Sequence, residues 1–153
     1  NAKSRAAAGR ASALAGSGKR EDARELLESL IGSGVGDAEV RAELAAIALE
    51  EGNLVGAREL AEEALDDAGD DASVEADIRL ILGKIYSAAA EHENADSELS
   101  AALVLYKDAG RRRRIARTLD QLAAVADAQK LRSAANDYRE RAARVRSALP
   151  ALE

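Results

Sequence analysis

The sequence predicts an all-α protein, an α-solenoid of about four antiparallel helix-turn-helix hairpins. Three observations carry that expectation. Alanine fills 37 of the 153 positions and proline only one, Pro150; alanine is the strongest helix former and proline the weakest. Aromatic residues are reduced to three Tyr, with no Phe or Trp, which disfavours a β-rich fold. The third is a recurring phrase, and internal repeats outrank other local signals. Gly52-Asn53 begins a turn, and Leu54 to Leu65 follow as an amphipathic helix with small residues at 57, 61 and 64. Gly18 to Leu27 repeat that phrase. Ala57 follows Ala23 by 34 residues, Ala95 follows Ala57 by 38, and Ala135 follows Ala95 by 40. Leu44-Ala45, Leu82-Gly83 and Leu122-Ala123 keep the offsets of 38 and 40, as do Ala48, Tyr86 and Ala126.

Each element follows from this register. The first hairpin is predicted at 3–15 and 20–31, with Ala11 and Leu14 at the repeat positions and Gly16-Ser17-Gly18 as its turn. Gly32-Ser33-Gly34-Val35-Gly36 separates it from the second, predicted at 37–51 and 54–67. Asp37 is placed to cap the third helix, its carboxylate accepting from orphan backbone N–H groups. Asp70 or Asp71 stands in the same relation to the fifth. The third hairpin is predicted at 72–91 and 94–109, the fourth at 111–128 and 131–148, with Ala109-Gly110 between them. One repeat domain over 3–148 results, in units of approximately 3–34, 37–70, 72–109 and 111–148. Asn1-Ala2 matches the scar of a removed purification tag, and no initiator Met is present, so an excised fragment is expected.

Small residues at matched positions let helix axes approach closely. Leu44, Ile47, Leu60, Ile78, Leu82, Ile85, Leu99, Leu103, Ile115, Leu119 and Leu122 then form the expected core. A single hairpin cannot bury its apolar face alone, so neighbours stack and the end units expose one flank. The first helix is the weakest; Arg139, Arg141, Arg144 and Arg146 keep much of the last one polar. Self-association through the end hairpins is one expectation.

Composition narrows the chemistry. With no Cys and one His, disulfides, thiol catalysis and most His-based zinc sites are removed. No apolar run reaches the roughly 18 residues of a membrane span, and no signal peptide is visible. A cytoplasmic location is expected. Gly16-Ser17-Gly18-Lys19 ends like a phosphate-binding loop, but Ala13 stands where its first Gly belongs and Arg20 where its hydroxyl belongs; an inter-helix turn is the reading. His92, between Glu91 and Glu93, has no second His and is read as an exposed turn residue. Asp66-Asp67 and Asp70-Asp71 lack calcium-loop spacing and are read as a solvated capping loop. The three Tyr are read as structural. No nucleophile–base–acid set can be assembled, so neither an enzyme nor a cofactor nor a metal is expected.

Charge is unevenly spread. Residues 37–77 hold 14 acids and two Arg, whereas residues 107–146 hold 12 basic and five acidic side chains. Arg111, Arg112, Arg113 and Arg114 begin a helix, at the positive end of its dipole. They point in different directions, which favours a solvated face with salt bridges to Asp108 and neighbouring acids over a patch for an anionic partner. Nucleic-acid binding through this basic quarter is disfavoured by the absence of interleaved aromatics.

The repeat resembles the tetratricopeptide repeat over about residues 3 to 148. Leu82-Gly83, Tyr86, Ala95 and Ala102 match that pattern, with Leu99 in place of an aromatic. The family's first aromatic anchor falls at Arg41, Arg79 and Leu119, and its closing Pro is missing from the internal repeats. The 38- and 40-residue spacings resemble those of bacterial signalling and transcription-regulator arrays, which implies, as an alternative role, a sensor or regulatory segment of a larger regulator. The resemblance implies a right-handed superhelix acting as a protein-interaction scaffold. It also implies that first helices line a concave groove for a peptide or helix. The groove residues are then Arg5, Ala8 and Ser12; Glu39, Ala42, Glu43, Ala46, Leu49 and Glu50; Asp77, Leu80, Lys84, Ser87 and Ala88; and Arg117, Asp120, Gln121, Ala124 and Asp127. Carboxylates dominate its middle, so a protein or peptide of basic or mixed charge is the expected partner. The Lys and Asn clamp that some members use for chaperone tails is not recognisable at Ala8, Ser12, Ala42 and Ala46.

Overall fold

A computed structural model describes residues 2–32 and 37–148, without the side chains of residues 2–5 and 8. All regular elements among the described residues are helices: α1 (Ala2–Gly16), α2 (Arg20–Glu28), α3 (Asp37–Glu50), α4 (Leu54–Asp67), α5 (Ala72–Ala88), α6 (His92–Asp108), α7 (Arg112–Ala128) and α8 (Arg132–Ser147). They pack in adjacent pairs, as a helical-repeat solenoid requires. The chain forms two compact units, Asn1–Ile81 and Leu82–Glu153, divided within α5.

In the first unit α1 and α2 pack on each other and on α3, and α3 packs on α4. Ala11, Ala23, Leu27, Val40, Leu44 and Ile47 form the buried cluster, with Leu14, Leu26, Leu30, Ile31 and Leu60 packed against it. In the second unit α7 lies against α6 and α8. Its core includes Leu82, Ile85, Leu99, Leu103, Ile115, Leu119 and Leu122, as the sequence predicts. Leu60 is only half-buried, while Leu27, Val40 and Val125, absent from the predicted core, are buried. The small-residue register holds in space: Ala23, Ala57, Ala95 and Ala135 are all 0% exposed. A methyl group at each position leaves room for a second helix; a longer side chain would hold the pair apart.

The hairpin turns share one hydrogen-bond pattern. The amide N–H groups of Lys19, Asn53, Glu91 and Leu131 donate to the carbonyls of Leu14, Ala48, Tyr86 and Ala126, five residues back, at 2.8–2.9 Å. Those of Gly18, Gly52, Ala90 and Lys130 donate three residues back, to Ala15, Leu49, Ser87 and Asp127. This is a Schellman closure, which requires a left-handed residue after the helix. That residue has φ of 85° at Gly18, 79° at Gly52, 59° at Ala90 and 62° at Lys130. These four positions follow each other at 34, 38 and 40 residues, the offsets of the sequence repeat. The last two lack glycine. A left-handed residue with a Cβ costs about 1–2 kcal/mol, partly offset by the backbone entropy that glycine loses. Ala90→Gly and Lys130→Gly should therefore each stabilise the protein by about 0.5–1 kcal/mol in chemical denaturation.

Two predicted helix ends move for this reason. α5 stops at Ala88 instead of 91, and α6 begins at His92 instead of 94. α2 also ends early, at Glu28, where the Ser29 hydroxyl donates to the Leu26 carbonyl at 2.7 Å. At the helix starts, Asp71 performs the expected capping: its Oδ1 accepts from the amides of Ser73 and Val74 at 3.1 and 3.2 Å. Asn53 Oδ1 accepts likewise from the Gly56 amide at 3.0 Å. Asp71→Ala should cost about 1 kcal/mol in thermal or chemical unfolding. Asp37 is the first residue of α3, and positions 33–36 of the predicted glycine-rich linker lie outside the described residues.

Candidate functional site

Glu39, Glu43, Ala46 and Glu50 are spaced by four, three and four residues along α3, so they share one face. The first three are half-buried and Glu50 is exposed, while Val40, Leu44 and Ile47 point to the core. The core thus fixes the rotation of α3 and holds the acidic stripe outward. Glu50 accepts from Arg20 Nε at 3.2 Å. Next to it, Glu51 accepts from Arg24 at 2.5 Å through both oxygens; that hydrogen bond raises the Arg24 guanidinium pKa above its ordinary value, against a smaller desolvation effect. Asp77, on the part of α5 within the first unit, is half-buried.

Two predicted groove residues are not available at the surface. Leu80 is 3% exposed and Ala42 is 7% exposed. Both are taken into the core by the face of the helix on which they lie. Arg5 and Ala8 have side chains outside the described set.

The second unit changes the sign of the predicted surface. Asp120 accepts two hydrogen bonds from Arg146, which raise that guanidinium's pKa. Asp127 is paired with Arg139. Both carboxylates tie α7 to α8. What α7 leaves exposed or half-exposed beside them is Arg113, Arg117, Gln121 and Ala124. Lys84 is half-buried on α5.

The Arg run separates as its helical directions require. Arg111 precedes α7, Arg112 donates to the Ala148 carbonyl at 3.2 Å, Arg113 is exposed, and Arg114 is half-buried. Among the described residues, the ion pairs of the basic quarter include those from Arg139, Arg141 and Arg146 to Asp127, Asp137 and Asp120.

Arg41 and Arg79, at the family's aromatic-anchor positions, are held by carboxylates. Arg41 reaches from α3 to Glu63 at 3.3 Å and to Asp67 on α4. Arg79 donates to Glu75 at 2.7 Å. At the third such position Leu119 is 1% exposed.

His92 differs from expectation. It is the first residue of α6 and half-buried, and its Nδ1 is buried with no hydrogen-bond partner among the described residues. Tyr106 is buried, and Tyr138 is half-buried with the Arg141 guanidinium 5.6 Å from its ring centre. No group of three or more His, Cys, Asp or Glu side chains suited to a metal ion occurs among the described residues. None of the described helices is long and apolar enough to cross a membrane. An open hollow of about 560 Å³ lies on the first hairpin, lined by Arg10, Ala13, Leu14, Ser17 and Leu26.

No curated protein matches the chain. The tetratricopeptide repeat family model matches residues 14–76, from the end of α1 into α5. That stretch contains the complete second hairpin, two Schellman turns and the buried Ala23, Ala57, Ala61 and Ala64. By its sequence and its helical hairpins, the segment 14–76 belongs to the tetratricopeptide repeat family.

Proposed function

We propose that the chain is a protein-interaction module whose first unit holds a partner segment carrying basic residues along α3. The carrying observation is the stripe of Glu39, Glu43, Ala46 and Glu50, held outward by a fixed core. The carboxylates supply orientation and long-range attraction, and Ala46 leaves space for a side chain of the segment. Asp77 adds charge in the same unit. The family supports this reading, because its repeats generally mediate protein–protein interaction and are typically non-catalytic.

Panning a random peptide display library over the immobilised protein should enrich Lys- and Arg-containing sequences. Glu39→Lys with Glu43→Lys should weaken the selected peptide about tenfold or more, a loss of about 1.4 kcal/mol. Enrichment of uncharged peptides that bind the double variant equally well would remove α3 as the site.

A further inference from the structure

We propose that the exposed face of α4 in one molecule docks on the exposed face of α7 in a second copy, as an antiparallel helix pair. On α4, Val55, Glu59, Glu62 and Asp66 lie at spacings of four, three and four, and all are exposed. On α7, Arg113, Arg117, Gln121 and Ala124 lie at spacings of four, four and three, exposed except for the half-buried Gln121. Each set forms one stripe about 16 Å long on its helix. Laid antiparallel, the stripes are complementary along their whole length. Arg113 meets Asp66, Arg117 meets Glu62, Gln121 meets Glu59, and Val55 covers Ala124.

The apolar end gives the pairing a direction. Val55 is 72% exposed, the largest exposure among the exposed large hydrophobic residues described, and Ala124 is small enough to let it approach. A parallel arrangement would set Val55 on Arg113 and leave Asp66 over Ala124. The nearby acids of α7 do not oppose docking, because Arg146 and Arg139 neutralise Asp120 and Asp127. On α4, Glu62 already accepts from Arg58 through Oε1, a pair exposed enough to rearrange at small cost. A second copy is the favoured occupant because both halves of the match are present in this one chain. The contact is heterologous, so a docked pair keeps one free α7 face and one free α4 face for further copies. It uses neither Glu39 nor Glu43 and stands independently of the α3 proposal.

A single helix pair is small beside a standard interface, so weak, salt-sensitive association is expected. Sedimentation velocity on the whole chain, up to about 0.5 mM, should show a rising average mass at low salt that falls toward the monomer in about 0.5 M salt. Arg113→Glu with Arg117→Glu should abolish it, as should Glu62→Arg with Asp66→Arg, while circular dichroism stays helical. The chain carrying all four substitutions restores opposite charge at both positions and should self-associate again. A wild-type chain that stays monomeric throughout would overturn the proposal. So would association unchanged by the paired reversals, or a quadruple variant that remains monomeric while folded. Binding of a Glu-rich peptide through Arg113 and Arg117 by a monomeric chain would assign this face to an acidic partner instead, and would equally overturn it.

Discussion

Gly83→Ala is expected to lower the free energy of unfolding by up to about 2 kcal/mol, and to raise it by about 1 kcal/mol once Leu99 is alanine. Gly83 of α5 faces Leu99 of α6. A Cβ at Gly83 would stand 2.5 Å from both Leu99 Cγ and Cδ2. Leu99 is 0% exposed, so it has no solvent side to which it can turn. Overpacking of this kind costs about 1–3 kcal/mol, reduced by the better helix propensity of alanine, worth about 1 kcal/mol. The second hairpin already carries the alternative solution, with Ala45 and Ala61 at the corresponding positions, both 0% exposed. Leu99→Ala alone should cost about 2–5 kcal/mol through the cavity it leaves. In that background the Gly83 methyl group meets space instead of a side chain. Urea unfolding of the four proteins in the cycle should give a coupling of about 1–3 kcal/mol. Additive effects would show that Leu99 relaxes without cost.

Leu119→Ala should destabilise the protein by about 2–5 kcal/mol, whereas Arg41→Ala at the equivalent repeat position should cost about 1 kcal/mol or less. Both occupy the place where the family carries an aromatic anchor. Leu119 is buried in the second unit, so its truncation removes contacts and leaves a hole. Arg41 instead reaches across the surface to Glu63 and Asp67 with one-fifth of its side chain exposed. Its carboxylate partners return to water when it is removed, which limits the loss. Denaturant midpoints with unchanged slopes would measure both. Equal costs at the two positions would mean that the Arg41 stem contributes as a packing element, not chiefly as a charge.

The repeat register was legible because small buried residues must recur wherever two helices approach closely, and Ala57, Ala95 and Ala135 do so at fixed offsets. The ends of α5 and α6 were less legible because the left-handed turn residue is Ala90 instead of glycine. Nothing in its chemistry announces that conformation; the hydrogen-bonded closure around it imposes it. The acidic stripe on α3 could be read from helical spacing alone. The fate of Asp120 and Asp127 could not, because their partners lie 26 and 12 residues away and depend on how α8 packs. Leu80 was misplaced for a related reason. Spacing assigns a residue to a face, but only packing decides whether another element covers that face.

The recurring Schellman closure has a consequence for how repeats of this kind can vary in length. Each turn residue is bonded back into the preceding helix while the next residue is already the N-cap of the following one, so the connection has no slack. One residue inserted there would rotate the next helix by about 100° and carry its buried alanines out of register. Within a hairpin, length is therefore best changed inside the helices, in steps close to a whole turn. The second and third hairpins differ in this way: α3 and α4 have 14 residues each, whereas α5 and α6 have 17 each. Three residues are close to one full turn, so the longer hairpin extends its surface by a layer while presenting the same faces to its neighbours.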